Sequence, residues 1–96
     1  MARFLIEIPH EAEPVACARA VDLLLRTGSH FVTHAQWGCK DGVHKGWLMI
    51  DLDSREEALN LVPAQYRSAA TVVQLNEFTL SEIEDLLRYH QSSPGS

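Results

Sequence analysis

The chain has 96 residues, 46% of them hydrophobic and 22% charged, with a net charge of −5 at pH 7. That length allows one domain with one modest core, and an acidic balance without any basic run or stripe argues against nucleic acid as a partner. The chain has no run of eighteen apolar residues and no charged-then-apolar leader, so it reads as a cytoplasmic protein with no membrane partner.

Taken in order, Arg3 to Pro9 reads as a first strand, with Phe4, Ile6 and Ile8 alternating against Arg3, Leu5 and Glu7. Pro9 ends its ladder. Glu13 to Thr27 reads as a helix: Pro14 suits the first turn, Cys17, Ala20, Val21 and Leu24 recur at helical spacing, and Gly28 suits the position after the last turn. Cys17 is expected to pack there as a small hydrophobe. A disulfide with Cys39 is not expected in a reducing cytosol.

Ser29 to Asp53 reads as one β-hairpin around Asp41-Gly42, a dipeptide whose positions tolerate the positive φ of a tight turn. A two-residue turn pairs Lys40 with Val43. It then sets Cys39 opposite His44, Trp37 opposite Gly46, Gln36 opposite Trp47 and His34 opposite Met49. Trp37 would lie over Gly46 and supply the contact area that a strand glycine lacks. One face carries Phe31, Thr33, Ala35, Trp37, Leu48, Ile50 and Leu52 and suits packing against helices. The other carries Val32, His34, Gln36, Lys45, Trp47, Met49 and Asp51, a mixture that suits a pocket floor or a polar-centred interface.

Ser54-Arg55-Glu56-Glu57 is a capping-box pattern that opens a short helix, stopped at Pro63. Pro63 to Ser68 reads as a solvated loop holding Tyr66 and Arg67, with a pocket rim as the alternative. Ala69 to Glu77 reads as the fourth strand. Thr79-Leu80-Ser81-Glu82 opens a last helix running to about His90, with Leu80, Ile83, Leu86 and Leu87 on one side. Residues 1–91 then form a single domain and 92–96 a disordered tail.

The order β-α-β-β-α-β plus a terminal helix is the ferredoxin-like α+β arrangement, an antiparallel sheet with strand order 4-1-3-2. Its helix-free face would expose Leu5, Val32, Trp47, Met49 and Val72. Two such sheets stacked in a homodimer would cover it, and the terminal helix is the cover available within a monomer. The strand Trp47-Leu48-Met49-Ile50-Asp51-Leu52, followed by Ser54, Glu57, Ala58, Leu59 and Val62-Pro63, resembles the dimeric α/β-barrel proteins, and muconolactone isomerase-like members in particular. The resemblance implies a dimeric α/β barrel with a cavity between the sheets. Where that isomerase pattern has Gly-His entering the third strand, this chain has Gly42-Val43-His44, so no catalytic histidine is carried over. The wider superfamily also holds haem-degrading monooxygenases and chlorite dismutase-like proteins, and fold does not select among such activities.

Three functions follow as expectations. In the first, a small metabolite occupies the inter-sheet cavity, Glu7 and His34 transfer a proton as an acid/base pair, and Gln36, Trp47, Met49, Asp51, Gln74 and Asn76 line the site. In the second, the same polar groups only pair across a non-catalytic dimer interface. In the third, Cys39 and His44, adjacent across the hairpin turn, bind a metal to which His10 or a dimer mate adds a ligand. His30 and His34 cannot share an ion on a strand, because four residues span roughly 13 Å and a ligand bond is about 2 Å. No Gly-rich phosphate loop or nucleophile elbow occurs, so no cofactor is expected.

Overall fold

The computed structural model describes residues 1–27 and 34–92. Its elements are β1 (Ala2–Pro9), α1 (Pro14–Thr27), β2 (Gln36–Trp37), β3 (Lys45–Leu52), α2 (Arg55–Leu61), α3 (Ala64–Arg67), β4 (Thr71–Leu75) and α4 (Leu80–Ser92). The four strands make one antiparallel sheet in the order β2-β3-β1-β4. This is the expected 4-1-3-2 order read from the other edge, and it is consistent with a ferredoxin-like α+β class. No helix among the described residues is long and apolar enough to cross a membrane.

Alternation along the long strands sets the core. Phe4, Ile6 and Ile8 of β1 and Leu48 and Ile50 of β3 are buried, together with Ala20 and Leu24 of α1 and Ala58 and Val62 in and just after α2. Each large apolar side chain buried in this way contributes about 1.5–3 kcal/mol. The opposite face of the sheet carries Leu5, Glu7, Trp47, Met49, Asp51 and Val73, of which Met49 is 59% and Val73 49% exposed.

Both capping patterns form. Ser54 Oγ accepts from the Glu57 N–H at 3.2 Å, and Thr79 Oγ1 accepts from the Glu82 N–H at 3.1 Å. The structure departs from the expected elements in five places. The strand expected from Ser29 to Cys39 is ordered as strand only at Gln36–Trp37, with His34 in a 3₁₀ turn; Ser29 to Thr33 lie outside the described residues. The two-residue turn is replaced by a 3₁₀ turn over Cys39–Asp41 closed by Gly42 at φ 81°, which glycine adopts at no steric cost. The hairpin register is nevertheless the expected one, with Gln36 opposite Trp47 and Trp37 opposite Gly46.

The fourth strand covers only Thr71–Leu75, and its register sets Gln74 opposite Phe4 and Val72 opposite Ile6. Gln74 therefore belongs to the helix-side parity, not to the Glu7 face, and Val72 packs against the core. Asn76 lies beyond the strand end. Finally, the loop from Pro63 to Ser68 contains the short helix α3. Arg67 donates there to the Leu59 carbonyl at 3.2 Å and the Val62 carbonyl at 2.9 Å, satisfying the last carbonyls of α2 rather than rimming a pocket. α4 runs through Ser92, so only residues 93–96 of the expected tail lie outside the described chain.

Candidate functional site: a cysteine–histidine cluster at the end of the sheet

The two ladders continue past the ends of the strands and bring three side chains into one row. β1 pairs with β3 so that Pro9 faces Lys45, and the next pair, His10 and His44, is held by a His10 N–H to His44 carbonyl bond of 3.1 Å. The hairpin register carries one step further, past the bond of 3.0 Å from the Gly38 N–H to the Lys45 carbonyl, to set Cys39 beside His44. Neighbours across an antiparallel ladder stand roughly 5 Å apart, the separation that two ligands of one ion need. His10 and His44 share the parity of Ile8 and Gly46, so the row faces the helical layer.

α1 supplies the fourth group. Its sheet-facing stripe of Cys17, Ala20 and Leu24 brings Cys17 over the row, and Cys17 and Cys39 are joined as a disulfide with Cα atoms 6.7 Å apart. That spacing is at the wide end of the usual span for a disulfide. The expectation of two separate thiols is thereby corrected: one cysteine lies on the sheet-facing stripe of the helix and the other on the helix-facing side of the hairpin, so packing the two layers brings them together.

One ligand atom from each of His10, Cys39 and His44 lies within 4.8 Å of the others, and all three residues are half-buried. His10 Nδ1 is 2.8 Å from the Glu11 carbonyl oxygen. A carbonyl only accepts, so Nδ1 carries the proton and Nε2 of the neutral ring is left with its lone pair. Nε2 sits 3.0 Å from Cys39 Sγ. A disulfide sulfur has no proton to give to that lone pair, whereas a thiol or a metal ion would engage it. His44 Nδ1 is buried and without a hydrogen-bond partner, an expensive state for a polar atom. The His10 and His44 rings thus both flank Cys39, with His10 Nε2 in direct contact with its sulfur.

The aromatic neighbours fix the site. Trp37 lies with its ring centroid 6.0 Å from that of His10, and the His10 and His44 rings meet edge-on at 5.7 Å. Trp37 can take that place because Gly46 opposite has no side chain: a Cβ there would meet Trp37 ring carbons at 2.7 Å. A cleft of about 560 Å³, lined by Pro9, His10, Glu11, Ala16, Arg19 and Tyr66 among others, opens on the His10 side of the cluster.

Of the residues expected to form a metabolite site, Glu7, Gln36, Trp47, Met49 and Asp51 lie on the other face, and Gln74 does not. Glu7 accepts from Trp47 Nε1 at 3.2 Å and from Thr71 Oγ1 at 3.1 Å, and pairs with Lys45 Nζ at 3.3 Å. The Lys45 ammonium, followed by the Trp47 and Thr71 donors, outweighs partial burial and holds the Glu7 carboxyl below its ordinary value. Such a group is a weak base at neutral pH. His34, Gln36, Trp47, Met49 and Leu5 line one shallow pocket of about 430 Å³. Asp51 is paired with Arg3 at 3.0 Å, and it lines a separate recess with Met49, Gln74 and Asn76 at the sheet edge. The expected residues are therefore split between two recesses.

Sequence reasoning placed Cys39 opposite His44 and named His10 as a further ligand, but it left Cys17 out. The signal was only partial: Cys17 lies on the apolar stripe of its helix, seven residues after His10, but that periodicity does not say which residue of the sheet the stripe meets. No protein-family model, curated protein or solved structure matches this chain.

Proposed function

We propose that this protein binds a thiophilic divalent metal ion of the zinc class, in its reduced form, through Cys17, Cys39, His10 and His44. The observation that carries the reading is that ligand atoms of His10, Cys39 and His44 lie within 4.8 Å of one another, with the proton-free His10 Nε2 3.0 Å from Cys39 Sγ and Cys17 joined to that sulfur. Two thiolates and two imidazoles are a standard tetrahedral zinc set, with Zn–S near 2.3 Å and Zn–N near 2.0–2.1 Å. Those bonds require ligand atoms about 3.3–3.8 Å apart; the His10, Cys39 and His44 atoms already lie within 4.8 Å of one another, and Cys17 joins them through its bond to Cys39. The bond from His10 Nδ1 to the Glu11 carbonyl is the outer contact that orients a ligating imidazole and fixes its tautomer. Four protein ligands would close the coordination sphere, which favours a structural or ion-sensing role over a hydrolytic one.

The test is elemental analysis of untagged protein purified under a reducing atmosphere, followed by cobalt(II) substitution. About one ion per chain and the intense visible bands of a tetrahedral thiolate site are expected. Cys39→Ser and His10→Ala should each weaken binding by about a hundredfold, whereas Glu56→Gln, on exposed α2, should leave it unchanged. Stoichiometric binding that survives both substitutions, or no binding at all by reduced protein, would overturn the assignment.

A second reading rests on a different observation, the apolar groups left exposed on the helix-free sheet face and along α4. We propose that a second copy of this chain covers them, as a homodimer of the barrel type that the strand resemblance suggests. Leu80, Leu86 and Leu87 of α4 are 74%, 57% and 53% exposed. A helix of this length spans about 20 Å, matching the eight-residue strands β1 and β3, which run to about 26 Å. The pocket around His34, Gln36 and Trp47 would then be enclosed at the dimer interface and would suit a small planar metabolite, with Trp47 as its stacking surface and Glu7 as a fixed negative charge.

A further inference from the structure

We infer that the cysteine–histidine cluster is a redox gate, in which oxidation of its thiolates by a hydroperoxide closes the Cys17–Cys39 disulfide and expels the metal ion. The inference rests on the metal-binding reading and adds its regulation. Its basis is that the same two sulfurs have two mutually exclusive sets of partners. Joined to each other, as in this structure, they leave His10 Nε2 and His44 Nδ1 unengaged. Parted to the edge of a tetrahedral site, about 3.8 Å, they leave two thiolates beside the His10 and His44 rings. The Cα atoms at 6.7 Å lie within the span of a disulfide, so the interconversion asks for side-chain rotation and little backbone movement.

The fold favours reaction here over a buried thiol elsewhere. Both cysteines are half-buried, and the cleft beside them is lined by His10 and by Ala16, the neighbour of Cys17. Cys39 has the His10 ring at 3.0 Å.

The step balances with the peroxide as the sole oxidant. The Cys39 thiolate attacks one peroxide oxygen, the O–O bond breaks, and the departing oxygen takes a proton to leave as water (or as an alcohol from an organic hydroperoxide). The resulting sulfenic acid is attacked at sulfur by the Cys17 thiolate; the S–S bond forms, the S–O bond breaks, and hydroxide leaves as water after taking a second proton. Two electrons pass from the sulfurs to the peroxide. The divalent ion, left with two neutral imidazoles, dissociates. A dithiol reductant reverses the sequence by exchange.

The experiment loads the reduced full-length chain with zinc, removes excess ion, and adds hydrogen peroxide in steps. Released zinc is followed with a chromophoric chelator, free thiols by titration, and the chain by intact mass. About one ion should appear per peroxide consumed, in step with the loss of both thiols and of two hydrogens in mass, and dithiothreitol with fresh zinc should restore the starting state. Affinity for zinc should differ at least about a thousandfold between the reduced and oxidised chains. In Cys17→Ser, peroxide should instead leave a Cys39 sulfenic acid that dimedone captures, with no intramolecular disulfide. Zinc retained alongside intact thiols, or a disulfide formed without zinc release, overturns the gate while leaving the metal site standing. A reduced chain that takes up no zinc overturns both.

Discussion

Glu7 shows how a residue that looks catalytic in sequence acquires another role from its neighbours. Its carboxylate is held by Lys45, Trp47 and Thr71, a side chain from each of the two strands that flank β1 and the indole of one of them. These donors lower its pKa, the Lys45 contact most of all. A carboxyl whose folded pKa is depressed contributes stability that is fully present above its unfolded value, near 4.3. That contribution is lost as the pH falls through the folded value. Glu7→Gln should therefore cost about 0.5–1 kcal/mol at pH 7, a modest figure because the pair is partly exposed and screened by water. Urea denaturation of the two proteins at pH 7 and again near pH 3 checks this, with the difference shrinking at the lower pH. A cost that persists in acid would show that Glu7 acts by packing rather than by charge.

Elements place the cluster more firmly than any single side chain does. Gly46 in β3 admits Trp37 from β2, Trp37 leans on His10 at the end of β1, and His10 faces Cys39 in the hairpin turn. Gly46→Ala would drive a methyl group into the rigid indole at 2.7 Å. The expected cost is about 1–3 kcal/mol, with a lowered melting temperature and a several-fold weaker hold on zinc, since His10 loses its lateral support. Calorimetry and metal titration on the same preparation read both. A full loss of stability with unaltered zinc affinity would separate Trp37 from the site. Much of this was legible in the sequence. Alternation fixed which residues of β1 and β3 face the helices, Asp41-Gly42 marked the reversal, and the pairing of Trp37 with Gly46 followed from it. Two features were not legible. The parity of β4 depends on which residue meets Phe4, and the short segment TVVQL carries apolar groups on both parities, so Gln74 was assigned to the wrong face. The meeting of Cys17 with Cys39 is a contact between layers, which the periodicity of one element does not reveal.

The whole molecule is longer than its residue count requires. Its Cα radius of gyration is 17.9 Å and its extents are 56 × 29 × 22 Å, whereas a compact chain of this length has a radius near 12.5 Å. Within α4, residues Leu80 to His90 are exposed apart from half-buried Ile83, although Leu80, Ile83, Leu86 and Leu87 lie on one side of the helix. A helix this amphipathic gains little stability alone in water, because most helical stability comes from packing its apolar face. The exposed sheet face presents the complementary problem at Met49 and Val73. Each surface is apolar enough to be covered by the other, and under the dimer proposal reciprocal docking between two copies would cover both with closed two-fold symmetry. Such an exchange would bury on the order of 800 Å² per chain, enough for a specific dimer. Light scattering coupled to gel filtration should then give a mass near twice the 10.8 kDa of the chain. The double substitution Leu86→Glu, Leu87→Glu should convert it to monomer, and Val73→Asp on the sheet should do the same from the other side of the contact. A wild-type monomer at tens of micromolar (on the order of a weak transient dimer's dissociation constant) would remove the dimer. A dimer that survives the α4 substitutions but not Val73→Asp would keep the stacked sheets and release the helix from the interface.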